Sequence, residues 1–173
     1  MEKILNVGCG DSTYGTHFVD LYPSRPEVVK CNIDKQKLPF PNNSFDEVYS
    51  KNLFEHLKNP NFVLREMFRV TKKGGKIKLI TDNGNFIFWH ILGKTHSGGY
   101  ESHGQHGKED KHYGLYTAHH LVNHLSDVGF KNIKFRYENM NVKNVVHKVA
   151  FKTISVFSKK LGHTVVVVEG TKK

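Results

Sequence analysis

The stretch Lys3–Asp20 constrains this chain more than any other. It reads Lys-Ile-Leu-Asn-Val-Gly-Cys-Gly, continues through Asp11–Thr16, and closes on His-Phe-Val-Asp. One apolar run ends in Gly8-x-Gly10 and a second ends in Asp20. The pattern predicts a strand, a glycine turn, and a strand with a carboxylate at its carboxyl end. Glycines let the backbone pass close to a ligand with no Cβ in the way. An acid at the tip of the neighbouring strand can accept hydrogen bonds from ribose hydroxyls. A dinucleotide site asks for a third glycine opening a helix and an acid roughly 20 residues on. Here the acid comes much sooner, and no helix fits between Gly10 and Thr16. A pyrophosphate would lack the helix N-terminus that usually holds it. These residues suit a nucleoside without phosphates, at the carboxyl edge of a parallel sheet. Alone, they are equally compatible with an ordinary strand–turn–strand.

Two further stretches decide between those readings. Cys31-Asn-Ile-Asp34 ends a third apolar run in another acid and leads into Lys-Gln-Lys-Leu-Pro-Phe-Pro. Asn43-Ser-Phe-Asp then opens a segment that reaches Asn52-Leu-Phe-Glu-His-Leu57. In order and spacing the series resembles the class I S-adenosylmethionine-dependent methyltransferases, in particular the small type 11-like group related to quinone biosynthesis. The resemblance is strong over residues 3–83 and fair over 112–170. Phe54 stands where that group has Leu.

The resemblance implies an α/β, Rossmann-like fold. Its sheet would have seven mostly parallel strands in the order 3-2-1-4-5-7-6, with the last strand antiparallel. It also implies S-adenosyl-L-methionine as cofactor. Gly8, Cys9 and Gly10 would back the methionine part, and Asp20 would hold the ribose. Leu21 would pack on the adenine, Asp34 would accept from its amino group, and Ile33 would flank it. Ser50 and Asn52 would lie beside the sulfonium. His56, and His112 at the end of an irregular loop, are the candidate catalytic bases on the acceptor side. The plain alternatives are a turn cap at Asp34, a capping or packing histidine at His56, and a structural acid at Asp46.

In chain order, strands are expected at Ile4–Val7, His17–Leu21, Val28–Ile33, Phe45–Ser50, Lys76–Thr81, Lys131–Tyr137 and His163–Glu169. Parallel neighbours normally need a helical crossover. The links 11–16 and 22–27 are too short for one, so the helices between strands 1–2 and 2–3 are reduced. That flank needs cover from loops, a rearranged element or a partner. Apolar positions 63, 64, 67, 68 and 70 predict a helix over 61–70, with Lys73-Gly-Gly as its stop. Tyr116–Gly129 reads as a helix with Thr117 at its N-cap. Val142–Leu161 reads as a helix whose apolar stripe packs on the sheet and leaves Phe151 exposed. Residues 83–113, rich in Gly and His, form an irregular loop, the expected lid over the substrate.

At 173 residues the chain fits a single domain, residues 1–173. Met-Glu-Lys running straight into a core strand leaves no room for a signal peptide, and no apolar run is long enough to span a bilayer. The expected location is cytoplasmic. The two cysteines show neither disulfide nor metal spacing. His96, His103 and His106 lack a partner acid or Cys at ligand spacing, so no metal is expected. Of the net charge of +10, residues 131–173 carry +8, from ten Lys or Arg and two Glu. A small-molecule acceptor is the default. RNA is the alternative that this basic region suggests. A non-catalytic cofactor-binding subunit and a homodimer stay open.

Overall fold

The computed structural model describes residues 1–92, 94–95, 98–99, 111–140 and 145–173. Seven strands build the main sheet: β1 (Ile4–Val7), β2 (His17–Asp20), β3 (Val28–Lys30), β4 (Phe45–Lys51), β5 (Thr71–Asp82), β6 (Phe130–Glu138) and β7 (Val165–Lys172). Their order is β3-β2-β1-β4-β5-β7-β6, as expected. β1 to β5 run parallel, and β7 is antiparallel to both β5 and β6. Lys94–Thr95 and Gly98–Gly99 form a separate two-residue antiparallel pair.

One face of the sheet's centre is apolar. Leu5 and Val7 of β1, Ile77 and Leu79 of β5, and Val166–Val168 of β7 are all fully buried. Asn6, Lys76 and Lys78 occupy the alternate positions in β1 and β5, and of these three strands only β7, through its valines, buries apolar side chains on both faces. α1 (Pro60–Val70) and α3 (Ala118–Val128) supply cover. Each buries one stripe: Val63, Leu64, Met67 and Val70 in α1, Leu121 and Leu125 in α3. Thr117 caps α3 by accepting from the His120 amide at 3.2 Å, and Gly129 ends it in the left-handed region at φ 118°. The last turn of α1 is closed by Lys172, whose ammonium donates to the Phe68 and Thr71 carbonyls at 2.6 and 2.8 Å.

Three expectations change. α1 stops at Val70, and the strand after it begins at once, at Thr71. Gly74-Gly75 lies inside β5 and is not a helix terminator. Gly74 has φ +78°, and a Cβ on Gly75 would meet the Lys72 carbonyl oxygen at 2.9 Å. The pair bends the strand where its register with β4 shifts between Phe45 and Glu47. β3 ends at Lys30, so Cys31–Ile33 is a connector. The third change concerns α4 (Val145–Phe157). Its stripe does not pack on the sheet: Val145, Val149, Val156 and Phe157 are 70, 61, 78 and 87 % exposed. Phe151, expected outside, is 4 % exposed. Its ring lies 4.8 Å from that of Phe86 and joins a second small core with Trp89 of α2 (Ile87–Leu92).

No helix separates β1, β2 and β3, as the short links required. Two loops, tied by side chains, take the place of the missing helices. Arg25 donates to the Ser12 carbonyl at 2.7 Å and covers the Phe18 ring at 4.5 Å. Ser24 donates to the Gly10 carbonyl at 3.0 Å. Tyr14 lies 4.4 Å from the Tyr49 ring and donates to Glu47 at 2.7 Å. Asp46 is structural, as expected: it accepts from the Lys3 amide at 2.8 Å and pairs with Lys72 at 2.6 Å.

Candidate functional site

The carboxyl ends of β1, β2 and β4, with the connector after β3, surround a cavity of about 720 Å³. Pockets for small molecules commonly fall in this size range. β1 delivers Gly8, Cys9 and Gly10 to the wall. Gly8 has φ +67° and donates its amide to the Val19 carbonyl at 2.8 Å. Gly10 has φ +48° and donates to Asp20 Oδ2 at 2.8 Å. Both are backbone states that glycine adopts without strain.

β2 delivers Asp20 and Leu21. Asp20 is gripped on both sides, because the Tyr22 amide donates to Oδ1 at 2.8 Å. A carboxylate offers about four acceptor positions, so two backbone bonds fix its orientation and leave acceptor capacity for a diol. Ile33 and Asp34 line the next wall. The Asp34 carboxylate accepts from the Asn59 and Lys58 amides at 2.9 and 3.2 Å. It therefore caps the turn ahead of α1, whose N-cap Asn59 makes no side-chain capping bond and instead donates Nδ2 to the Asp34 carbonyl at 3.2 Å. The capping alternative describes this geometry, while the residue still faces the cavity.

β4 delivers Asn52, held at φ +53° with its amide on the Ile80 carbonyl at 2.8 Å. Ser50 does not join it. That side chain is 1 % exposed, lies outside the cavity lining, and has no hydrogen-bond partner for its Oγ among the described residues. Cys9 carries a thiol whose pKa is pushed up by burial and, next, by the Asp20 charge. It stays protonated at neutral pH.

His56 lines the cavity on the opposite side, with Leu53, Lys58 and Tyr113. His56 belongs to the 3₁₀ turn Phe54–His56. Segment 111–114 is bound to that turn. The Tyr113 amide donates to the Glu55 carbonyl at 2.7 Å, and His56 Nδ1 lies 3.2 Å from the Lys111 carbonyl oxygen. These bonds set His112 edge-on to His56, with ring centroids 4.6 Å apart. His112 stands behind His56, outside the cavity lining, with Nδ1 3.6 Å from Asp82 Oδ2. Glu55, given no role of its own in the sequence, is 2 % exposed and accepts from Thr81 Oγ1 at 2.6 Å. One ligand-capable atom from each of Glu55, His56 and His112 lies within 4.8 Å of the others. Lys58, also unflagged, places its ammonium 4.9 Å from the Tyr113 ring centre. The only sequence signals for these residues were adjacency to His56 and His112. His96, His103 and His106, with residues 93, 97, 100–102, 104–105 and 107–110 of the expected lid, lie outside the described residues.

The donor set fits S-adenosylmethionine. Two glycines expose backbone where the chain passes the cavity, and the fixed Asp20 carboxylate faces the same space. The helix N-terminus that reaches the cavity, that of α1 at Asn59, already has its Lys58 and Asn59 amides bonded to Asp34.

Comparison with known proteins agrees. A family model described as "Methyltransferase domain" matches residues 13–79. The Methanocaldococcus jannaschii protein named "Uncharacterized protein MJ1123" is 33 % identical over 160 residues, covering 86 % of this chain and 74 % of its own. The crystal structure of an Archaeoglobus fulgidus SAM-dependent methyltransferase superposes with a TM-score of 0.65 at 16 % identity, over 99 % of this chain and 86 % of that one. Phosphoethanolamine N-methyltransferase 2 of Haemonchus contortus, solved with S-adenosyl-L-methionine, gives 0.60 at 15 % identity, over 99 % of this chain and 48 % of its own. The two structures establish shared fold. The relative's identity across most of both chains puts this chain in one family with the M. jannaschii protein, and the domain match over residues 13–79 with the shared fold makes it a class I S-adenosylmethionine-dependent methyltransferase.

Proposed function

We propose that this methyltransferase modifies a small-molecule acceptor, in the manner of the type 11-like group that its motifs resemble. Gly8, Cys9, Gly10, Asp20, Leu21, Ile33, Asp34 and Asn52 would hold the cofactor, with His56 on the acceptor side. The observation that carries this reading is convergence. Residues from four separate strand-end loops line one cavity.

The cofactor supplies an already activated methyl group, so the chain's task is alignment and exclusion of water. Asp20 and the glycine loop fix the nucleoside end. Asn52 and Leu53 bound the middle, and Tyr113 and Lys58 close the far wall. His56 is the cavity-facing member of a pair backed by the buried Asp82. A neutral imidazole there can take the proton of a hydroxyl acceptor. His112 positions it.

Isothermal titration with S-adenosylmethionine and with S-adenosylhomocysteine tests the reading. Both are expected to bind. Asp20→Ala removes the charged acceptor and is expected to weaken both by about 10- to 100-fold, the size of a lost charged hydrogen-bond set. Folded protein that binds neither compound overturns the reading. An RNA acceptor is the second reading, favoured by the +8 on residues 131–173. Binding to RNA that falls steeply with salt supports it, and indifference to RNA at low salt removes it.

A further inference from the structure

The Glu55–His56–His112 cluster has more organisation than a proton relay requires. Metal-ligating histidines characteristically donate their second ring nitrogen to a backbone carbonyl or a carboxylate, and ligating carboxylates are themselves hydrogen-bonded. His56 and Glu55 show that outer arrangement, and His112 has a carboxylate close by, just beyond hydrogen-bond distance. His56 Nδ1 faces the Lys111 carbonyl at 3.2 Å, the tautomer that carries the lone pair on Nε2. His112 Nδ1 faces Asp82 at 3.6 Å. Glu55 is steadied by Thr81 at 2.6 Å. The chemistry is two imidazoles and one carboxylate, a set used for catalytic zinc with one position left open.

We propose that Glu55, His56 and His112 bind a divalent transition-metal ion of the zinc or cobalt type at the edge of the cavity, with Asp82 as the outer partner of His112. The ligand atoms lie within 4.8 Å of one another. Ligands on a tetrahedral ion with bonds of about 2.0–2.2 Å sit roughly 3.4 Å apart, so rotation of side chains by a fraction of an ångström to about one ångström closes the set. The fold holds the three in place without the ion. Glu55 and His56 share one tight turn, and backbone bonds clamp segment 111–114 to it. Because His56 also lines the cavity, an ion there would stand beside the acceptor. It would lower the pKa of a coordinated hydroxyl, replacing a side-chain base. That role rests on the methyltransferase reading, but the binding itself does not.

The test uses the full chain, stripped with EDTA and titrated with Co²⁺, then with Zn²⁺ in competition. One equivalent of Co²⁺ is expected to bind with the visible absorption of a four- or five-coordinate ion, and Zn²⁺ should displace it. His112→Gln and Glu55→Gln should each abolish that spectrum. Asp82→Asn, which leaves every ligand in place, should weaken binding by about 10- to 100-fold. Circular dichroism establishes that each variant is folded. If the buried Glu55→Gln variant does not fold, His112→Gln and Asp82→Asn decide the matter. A folded wild-type chain that takes up neither ion overturns the proposal. So does binding that survives His112→Gln but vanishes when His96, His103 and His106 are together changed to Gln. Titration of the EDTA-stripped chain with S-adenosylhomocysteine separates the two conclusions. Cofactor binding without metal uptake defeats only the metal site, and loss of cofactor binding defeats the methyltransferase reading.

Discussion

A Cβ added to Gly8 would lie 2.7 Å from Leu53 Cδ1, on a backbone at φ +67°. Steric conflict and torsional strain therefore coincide at the residue that turns the chain toward the cavity. Gly8→Ala is expected to cost about 1–3 kcal/mol in urea unfolding. Adding Leu53→Ala should return only part of it, because the shorter side chain relieves the clash and not the torsion. Full recovery in the double variant would show that the backbone there is unstrained. The glycines and Asp20 were legible in the sequence because each requirement acts within a few residues of its cause. The meeting of Glu55 with His112 was not, although His112 stood out by itself. They lie 57 positions apart in number and meet through bonds between the 3₁₀ turn and segment 111–114. Ser50 misled for the opposite reason. It sits at the end of β4 in sequence, but the chain reverses at Asn52, and residues 51 and 52 reach the cavity in its stead.

Between the sheet and α1, one ion pair holds an irregular segment in place. Glu66 of α1 accepts from the Leu38 amide at 2.9 Å and pairs with Arg69 at 2.7 Å, while Arg69 donates to the Leu38 and Phe40 carbonyls at 2.9 and 2.8 Å. The Leu38-Pro-Phe-Pro loop, unable to form regular structure, is thereby satisfied. Burial alone would raise the Glu66 pKa; the Arg69 guanidinium and then the Leu38 amide outweigh it, and the carboxyl is held below the ordinary 4.5. A depressed acid contributes stability that is complete above its unfolded value and lost as pH falls through the folded one. Wild-type stability is therefore expected to drop below about pH 4.5 more steeply than that of Glu66→Gln, which should itself cost about 1–3 kcal/mol at pH 7. Parallel pH-dependent melting curves would contradict this. At this scale helix periodicity gave α1, α3 and α4 but not the side α4 turns inward. Its valines looked like the packing face, yet the Phe151 ring against Phe86 and Trp89 fixed the orientation.

For the molecule as a whole, that orientation leaves Val145, Val149, Val156 and Phe157 in solvent beside Lys148 and Lys152. Among the described residues no helix is long and apolar enough to cross a membrane. Contiguous exposed apolar surface favours association. Light scattering behind a sizing column is expected to show mass rising with concentration. Val149→Ser with Phe157→Ser should hold the chain monomeric while shifting stability by no more than about 0.5 kcal/mol, as exposed positions do. Equal masses for both proteins would refute it.

The thin flank has a consequence of a different kind. Where a crossover helix would bury the glycine loop under packed side chains, this chain ties it with Arg25 and Ser24. A few polar tethers near solvent can let go without disturbing Leu5 or Val7 beneath them. The amides of Gly10 and Ser12 should then trade hydrogen for deuterium well before those of β1. Bound S-adenosylhomocysteine should slow that trade, so the doorway to the nucleoside would loosen and tighten while the sheet stays shut.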